Sequence, residues 1–569
     1  MVFMAVSPAQ QPQVAYFSME IGLDSSIPTY SGGLGILAGD TLRTAADLGV
    51  PMIGVSLLHR NGYLHQHLDA SGNQTEESDP WYPQEFMEPM PTRVIIIIEG
   101  REVHVQAWCY LVLGISGNTV PVYFLDTDLL ENSPWDQKIT DHLYGGDDRY
   151  RICQEAVLGL GGVSLLRALG YDNIQTYHMN EGHSALLTLA LLYERAEERS
   201  LLPVELADRE AVRQRCVFTT HTPVPAGHDK FPRDLVEQVL GGEHSQALEV
   251  AGCYLEETLN MTYLALNFSR YINGVSLRHE EVSRDMFPHY PINSITNGVH
   301  AVTWTALPFR RLYDSHFLEW RRDNAYLCYA VSIPLDEIQH AHRQAKEQLL
   351  REVEQRTSIP LDPSVMTLGF ARRATPYKRA DLLFSDLERL KWIAREVGPI
   401  QVIYAGKAHP KDTGGKAIIR HVFQAADALG DEVRIIYLED YNMSLAKLIC
   451  SGVDLWLNTP QRPHEASGTS GMKAALNGIP SLSVLDGWWI EGHVEGVTGW
   501  SIGEGPTSDS RPDQEVTCLY DKLGGIILPL FYRQPDAYAS VMRYAIAING
   551  SFFHSQRMVL QYVKNAYPI

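Results

Sequence analysis

The stretch from Val453 to Gly478, VDLWLNTPQRPHEASGTSGMKAALNG, constrains the fold more than any other. A buried-looking strand, VDLWLN, runs into a polar, proline-containing loop and then into a helix, and such strand ends are where open α/β sheets place ligands. Ser467, Gly468, Thr469, Ser470 and Gly471 fall where the helix begins, and spare backbone N–H groups there attract an anion such as phosphate. Lys473 follows one turn in, ahead of apolar Ala474, Ala475 and Leu476. An amine packed against the interior loses its proton readily and forms Schiff bases. A helix start of this composition is ordinarily a cap and a lone lysine is ordinarily solvated. The functional reading therefore depends on whether other anion-binding parts converge on this one.

The 569 residues exceed what one hydrophobic core organises, so two domains are expected. Lys plus Arg is 47 against 68 Asp plus Glu, a net charge of −21, which argues against affinity for nucleic acid or anionic membranes. Cations at a phosphate site must then be local. The seven cysteines are scattered, odd in number and without a CxxC pair, so neither a disulfide framework nor a metal site is expected. MVFMAVSPAQQPQ has no signal-peptide pattern and RVIIIIEG is too short to cross a bilayer, so a soluble cytoplasmic protein is expected.

The same strand-to-helix grammar recurs along the chain. VAYFSMEIG leads into PTYSGGLGILAG, where glycines 32, 33 and 35 admit positive φ and close backbone approach to a ligand. The spacing fits neither a dinucleotide fingerprint nor a P-loop. PMIGVSLL, RVIIIIEG, HVQAWCYLVLG and VPVYFLDT read as strands, and Arg151–Leu169 reads as a helix. Glu181 and His183 head another helix, His221 ends strand VFTTH, and Asn297 and His300 in ITNGVHAVTW are available for hydroxyl recognition. Residues 335–356 read as a mostly polar connector or surface helix with solvated charges. VMTLGFARR then opens a second domain, with Arg372, Arg373, Lys378 and Arg379 at its strand's carboxyl end. The alternation of strand and helix onward to the opening stretch is a doubly wound parallel pattern. The expectation is an α/β protein of two domains, 1–330 and 331–569, with facing ligand sites across a cleft.

Taken together, YFSMEIG, SGGLG, NGYLHQ, SDPW, NEGHSAL, TTHTPVP, INGVS, SITNGVH, RRATPYKR, AGKAHP, YLEDYN and EASGTSGMKAALNG resemble the α-glucan phosphorylase family, in the family's order and over nearly the whole chain. The resemblance implies two Rossmann-like domains facing across a cleft, the GT-B arrangement, with the closing helices free to pack back on the first. It implies reversible phosphorolysis of the nonreducing-end α-1,4 glucosyl unit of glycogen or maltodextrin, giving α-glucose 1-phosphate with retention. The implied cofactor is pyridoxal 5′-phosphate, whose phosphate group does the acid–base work.

Carried over by residue, Lys473 holds the cofactor as a Schiff base, with Gly33, Arg372, Thr469, Ser470 and Tyr441 around it. Arg373 and Lys378 bind the substrate phosphate, and His221 offers its backbone carbonyl to the oxocarbenium ion. Asn297, Glu465, Ser467, Gly468 and Tyr377 hydrogen-bond the terminal glucose, while Glu181 and His183 support the cleft. The chain departs from the family where Arg372-Arg373 replaces Lys-Arg, where Thr375 and Pro376 replace a His–Glu pair, and where Asn442 replaces an arginine. Tyr538 to Tyr567 resembles the family's terminal helices, so the chain is expected to be complete, and with thirty-one residues before Gly32 no phosphorylation or nucleotide control is expected. The partners implied are α-glucan, inorganic phosphate and glucose 1-phosphate, with a homodimer allowed and neither nucleic acid nor membrane. A nucleotide-sugar-dependent glucan synthase of the same architecture would need no lysine at position 473, and a non-catalytic glucan-binding homologue would not need the phosphate cations.

Overall fold

The computed structural model describes residues 12–198, 206–224, 227–505 and 511–569. Most of the N-terminal stretch MVFMAVSPAQQPQ and positions 225 and 226 of the proline-rich turn lie outside the described residues. Two large sheets organise the chain. The first has nine strands. Seven of them are parallel: Val14–Ser18, Met52–Leu57, Thr119–Asp126, Thr176–Asn180, Cys216–Thr219, Tyr271–Gly274 and Ile292–Ser294. The first three step outward to one side, and the fourth returns to pair with Val14–Ser18 on its other side. An antiparallel pair, Glu88–Ile98 and Arg101–Leu113, extends the edge. There Ile95 and Ile97 alternate outward, each 48 % exposed, as an edge strand with one wet face requires.

The second sheet has six strands, all parallel, in the spatial order Val433–Leu438, Ile400–Ala405, Met366–Ala371, Leu455–Asn458, Ser481–Val484, Gly499–Ile502. The winding again reverses between the first and fourth strands in chain order, Met366–Ala371 and Leu455–Asn458. Their unbroken apolar runs are buried because helices cover both faces of a doubly wound sheet.

Helix Leu335–Thr357 corrects one expectation. Its Ile338, Ala341, Ala345, Leu349 and Val353 are buried, and two of its polar residues are not solvated. Lys346 donates to Asp454 Oδ2 at 2.6 Å and to the Val365 carbonyl at 2.7 Å, while His342 meets Asp454 Oδ1 at 2.8 Å. Asp454, buried just ahead of strand Leu455–Asn458, needs that compensation, since an unpaired interior carboxylate is costly.

The last helix, Ser555–Asn565, packs on the first sheet, where Met558, Val559 and Tyr562 share a core with Val14, Tyr16 and Leu42. The Tyr562 hydroxyl lies 2.9 Å from Thr219 Oγ1 and accepts from Asn273 Nδ2 at 3.0 Å. Among the described residues no helix is long and apolar enough to cross a membrane, and no cluster of metal-ligating side chains occurs.

Candidate active site

In a doubly wound sheet the loops diverge at the strand-order reversal and leave a crevice at the carboxyl ends. Here both reversals open onto one cavity of about 770 Å³. The first sheet contributes Glu20, two residues beyond Val14–Ser18, and Glu181, directly after Thr176–Asn180. The second contributes Arg372 and Arg373 after Met366–Ala371. It also contributes Glu465 and Lys473 from the loop and helix after Leu455–Asn458.

Lys473 lies in helix Thr469–Ala475 and is 7 % exposed. Its Nζ rests 3.7 Å from the centroid of the Trp304 ring and forms no ion pair among the described residues. Burial lowers its pKa, with Asp40 and Cys450 opposing and Lys447 and Arg43 adding to the fall. Helix Thr469–Ala475 has no side-chain cap. Among the described residues the Thr469 and Ser470 amides carry no hydrogen bond, so they remain donors for an anion. Gly468 precedes them at φ 87°, a left-handed conformation that favours glycine.

The cations are not equivalent. Lys378 Nζ reaches the two Glu465 oxygens at 2.8 and 2.7 Å, and Arg372 Nη2 lies 2.6 Å from Glu465 Oε2. Burial would raise the Glu465 carboxyl, but Arg372 and Lys378 outweigh it and hold it at about 2. Arg373 lies beside the Tyr377 hydroxyl, faces the cavity and forms no ion pair among the described residues. It is therefore a cation free to take an incoming anion. Tyr377, which burial would raise, is held below its usual pKa chiefly by Lys378. Arg379 is set apart from this group: it turns away to the Thr459 and Pro460 carbonyls and pairs with Glu515.

Two buried polar atoms at the wall, Asn297 Oδ1 and Ser467 Oγ, have no hydrogen-bond partner among the described residues. Such orphans are costly unless a ligand or water meets them. His221 is neutral, burial lowering its pKa to about 4, and its ring nitrogen Nε2 meets Asn180 Oδ1 at 2.6 Å. Glu181 accepts the Gly182 amide at 3.0 Å, the His221 amide at 2.8 Å and the Thr222 hydroxyl at 3.0 Å, which fixes the His221 peptide. His183 lies 3.4 Å from Asp229. Tyr441 lines the cavity as well.

Several expectations change in detail. Gly32 is extended, at φ −166°, and Gly33 and Gly35 are not among the positive-φ glycines. Smallness matters at Gly35, where a Cβ would sit 2.7 Å from Glu20 Oε2, whereas one on Gly33 would meet nothing within 4 Å, so the space there is open. Glu20 already takes the Ser31 and Gly32 amides, so Gly33 is the first glycine amide of this turn without a partner among the described residues. His300 is not a cavity residue. Its Nε2 is 2.8 Å from Asp47, and its Nδ1 meets Thr303 and caps a short helix. Asn442 caps helix Met443–Gly452 through the Leu445 amide at 3.0 Å, a role an arginine could not fill. Pro376 sits in the first turn of the segment that carries Lys378.

Glu20, Trp304 and Lys407 belong to the site without having been singled out in the sequence. For Glu20 the position two residues past a buried strand was a usable signal; for Trp304 none was.

Two doubly wound sheets whose reversals share one cavity, with a buried amine and an arginine at its wall that form no ion pair among the described residues, define an α/β protein with a cation-lined site. The carbohydrate phosphorylase family profile matches residues 242–497. The chain is similar to the maltodextrin phosphorylase of Thermococcus litoralis, 38 % identical over 98 % of this chain and 71 % of that protein. It is also similar to the glycogen phosphorylase of Aquifex aeolicus, 35 % identical over 97 % of this chain and 86 % of the relative. An uncharacterized protein of Methanocaldococcus jannaschii is 31 % identical over 97 % of this chain and 99 % of its own length. The chain belongs to the carbohydrate phosphorylase family.

Proposed function

We propose that the chain is an α-1,4-glucan phosphorylase, which cleaves the nonreducing-end glucose of glycogen or maltodextrin with inorganic phosphate and releases α-glucose 1-phosphate reversibly and with retention. The observation that carries the reading is Lys473, a buried amine in the same cavity as Arg373, neither of them in an ion pair among the described residues. The reading takes 1–330 and 331–569 as two Rossmann-like domains facing across that cavity in the GT-B arrangement, and the strand-order reversal in each sheet supports it. We extend it to a cytoplasmic, homodimeric enzyme without nucleic-acid or membrane partners; light scattering tests the dimer.

Pyridoxal 5′-phosphate fits the residues present. The depressed amine of Lys473 suits a carbonyl partner, the open space at Gly33 leaves room for a phosphate group, and the Thr469 and Ser470 amides are free to donate. Lys473 would tether it, Gly33, Arg372, Thr469 and Ser470 would hold its phosphate, and Tyr441 would flank it. When bound, the cofactor supplies a phosphate group for proton exchange with the substrate phosphate.

The chain does the rest by orientation and electrostatics. Arg373 holds inorganic phosphate, with Lys378 sharing it between Glu465 and the anion. Asn297, Glu465, Ser467, Gly468 and Tyr377 fix the sugar hydroxyls. The His221 carbonyl, on a segment held by the His221 amide and the Thr222 hydroxyl that both donate to Glu181, would face the positive charge that develops at the anomeric carbon. Closing these groups around the sugar excludes water, which would otherwise compete with phosphate.

The test is borohydride reduction with peptide mapping, coupled to glucose 1-phosphate release from maltodextrin. A pyridoxyl adduct on Lys473 and phosphate-dependent release are expected, and Lys473→Ala should lose both. Normal phosphorolysis in that variant overturns the reading.

A further inference from the structure

Arg557 is a cation that grips the carbonyl of Asn297, a residue of the cavity wall, and pairs with no carboxylate among the described residues. It sits in the first turn of the last helix, Ser555–Asn565. Its Nη1 donates to the Thr296 carbonyl and to Gln561 Oε1, its Nη2 to the Asn297 carbonyl at 2.9 Å, and its Nε to the Phe552 carbonyl at 3.1 Å. Every acceptor is neutral. Burial lowers its pKa to about 10, with Glu491 and Tyr562 opposing, so the guanidinium keeps its charge at neutral pH.

The segment it grips is held on every side. The Val299 amide donates to the Phe553 carbonyl at 3.1 Å, and the Ser555 amide to the Val299 carbonyl at 2.9 Å. Gly298 lies against the His554 carbonyl, where a side chain would collide with backbone. The Thr296 hydroxyl donates to Glu491 at 2.7 Å, and the Asn297 amide to the Val275 carbonyl at 3.0 Å. With its backbone fixed this way, Asn297 leaves only its side chain to the cavity, and there Oδ1 is buried without a partner among the described residues. A planar guanidinium spanning two consecutive carbonyls fixes the planes of both peptides, which an ammonium does not. The planes of the peptides flanking Asn297 set the direction of its amide.

We propose that Arg557 is a positioning residue for sugar recognition, acting from the last helix through the carbonyls of Thr296 and Asn297 to aim the Asn297 side chain into the cavity. The proposal rests on the reading of this cavity as a glucan site. In the glucan-binding assay it takes the form of a coupling between two residues.

The experiment is a double-mutant cycle of Arg557→Lys and Asn297→Ala in the full chain. Maltopentaose affinity is read by calorimetry and phosphorolysis kinetics in parallel, with Arg557→Gln as the second variant should the lysine protein not fold. Arg557→Lys is expected to weaken maltopentaose binding and lower kcat/KM for glucan roughly tenfold, with KM for phosphate within about twofold of the parent. On the Asn297→Ala background the same substitution should change either value by less than about twofold. Equal losses on both backgrounds, no loss on either, or a loss confined to thermal stability overturns the proposal. Coupled loss of maltopentaose affinity without any phosphorolysis in the parent would uphold the clamp and overturn the reading of the reaction.

Discussion

Replacing Glu465 by glutamine removes one negative charge from the point where Arg372 and Lys378 converge, and keeps the shape. The carboxyl is 5 % exposed and is held at about 2 against an ordinary value of 4.5. A difference of that size is worth about 3 kcal/mol of folding free energy at neutral pH. The sign follows from the direction: a depressed carboxylate stabilises the fold fully above about pH 4.5 and loses that contribution as pH falls toward 2. Glu465→Gln should therefore lower stability by about 3 kcal/mol at pH 7, and the gap should shrink to less than half of that by pH 3. Urea unfolding followed by tryptophan fluorescence at the two pH values measures it. Inorganic phosphate adds a second reading, because two buried cations relieved of their carboxylate should bind it more tightly, so phosphate should stabilise the variant more than the parent. Equal stability of the two proteins at pH 7, or a gap of the same size at pH 3, would refute the reasoning.

Four further outcomes are expected. Arg373→Ala should raise KM for phosphate at least about tenfold and change stability by no more than about 0.5 kcal/mol, because no carboxylate is left unpaired; phosphate titrations and melting curves check both. Gly33→Ala should fold normally, its methyl entering open space, yet take up less pyridoxal 5′-phosphate by absorbance. Gly39→Ala should fail to fold, because its Cβ would fall on the Gly22 carbonyl. Burial raises Asp486 from 3.8 to about 7, although the amides of Glu465 and Gly487 donate to it. A raised carboxyl stabilises below its unfolded value and loses that contribution as pH rises, so stability should fall by about 4 kcal/mol between pH 4 and 8. Asp486→Asn should flatten that part of the profile; a variant with the parent's slope would contradict the assignment.

What the sequence makes legible is whatever a few neighbouring residues decide. Buried strands, glycine-bearing helix starts, the cations after Met366–Ala371 and the apolar flank of Lys473 are all local, and the structure brings Gly33, Arg372, Arg373, Lys378 and Lys473 to one cavity. What it hides are partners set by the winding of the sheets. Lys378 and Glu465 are 87 residues apart, and His300 and Asp47 are 253 apart. No periodicity announces that one pair meets at the cavity while the other is structural. The polar helix Leu335–Thr357 reads as solvated because the carboxylate that claims Lys346 lies 108 residues further on. Of the glycines of SGGLG, Gly35 is required by tertiary space beside Glu20 and Tyr30, Gly32 and Gly33 face open space, and none of the three takes left-handed backbone.

Those long-range pairings also decide the polarity of the cavity, which net charge does not. A chain of net charge −21 presents at one reversal an arginine with no ion pair among the described residues, because Glu465 takes up Arg372 and Lys378 and leaves Arg373. At the other reversal Glu20 and Glu181 are held in place by amide and hydroxyl donors, from Ser31 and Tyr144 for the first and from Gly182 and His221 for the second. The cavity is thus positive at the carboxyl ends of the second sheet and negative at those of the first. On our reading phosphate enters at the positive side, and the positive charge that grows on the sugar faces the negative side across the His221 peptide. A field already oriented along the bond to be broken stabilises charge separation without reorganising the protein. It follows that Glu181→Gln should lower kcat and spare KM for phosphate, whereas Arg373→Ala should do the reverse. Equal effects of both substitutions on both constants would exclude that division of labour.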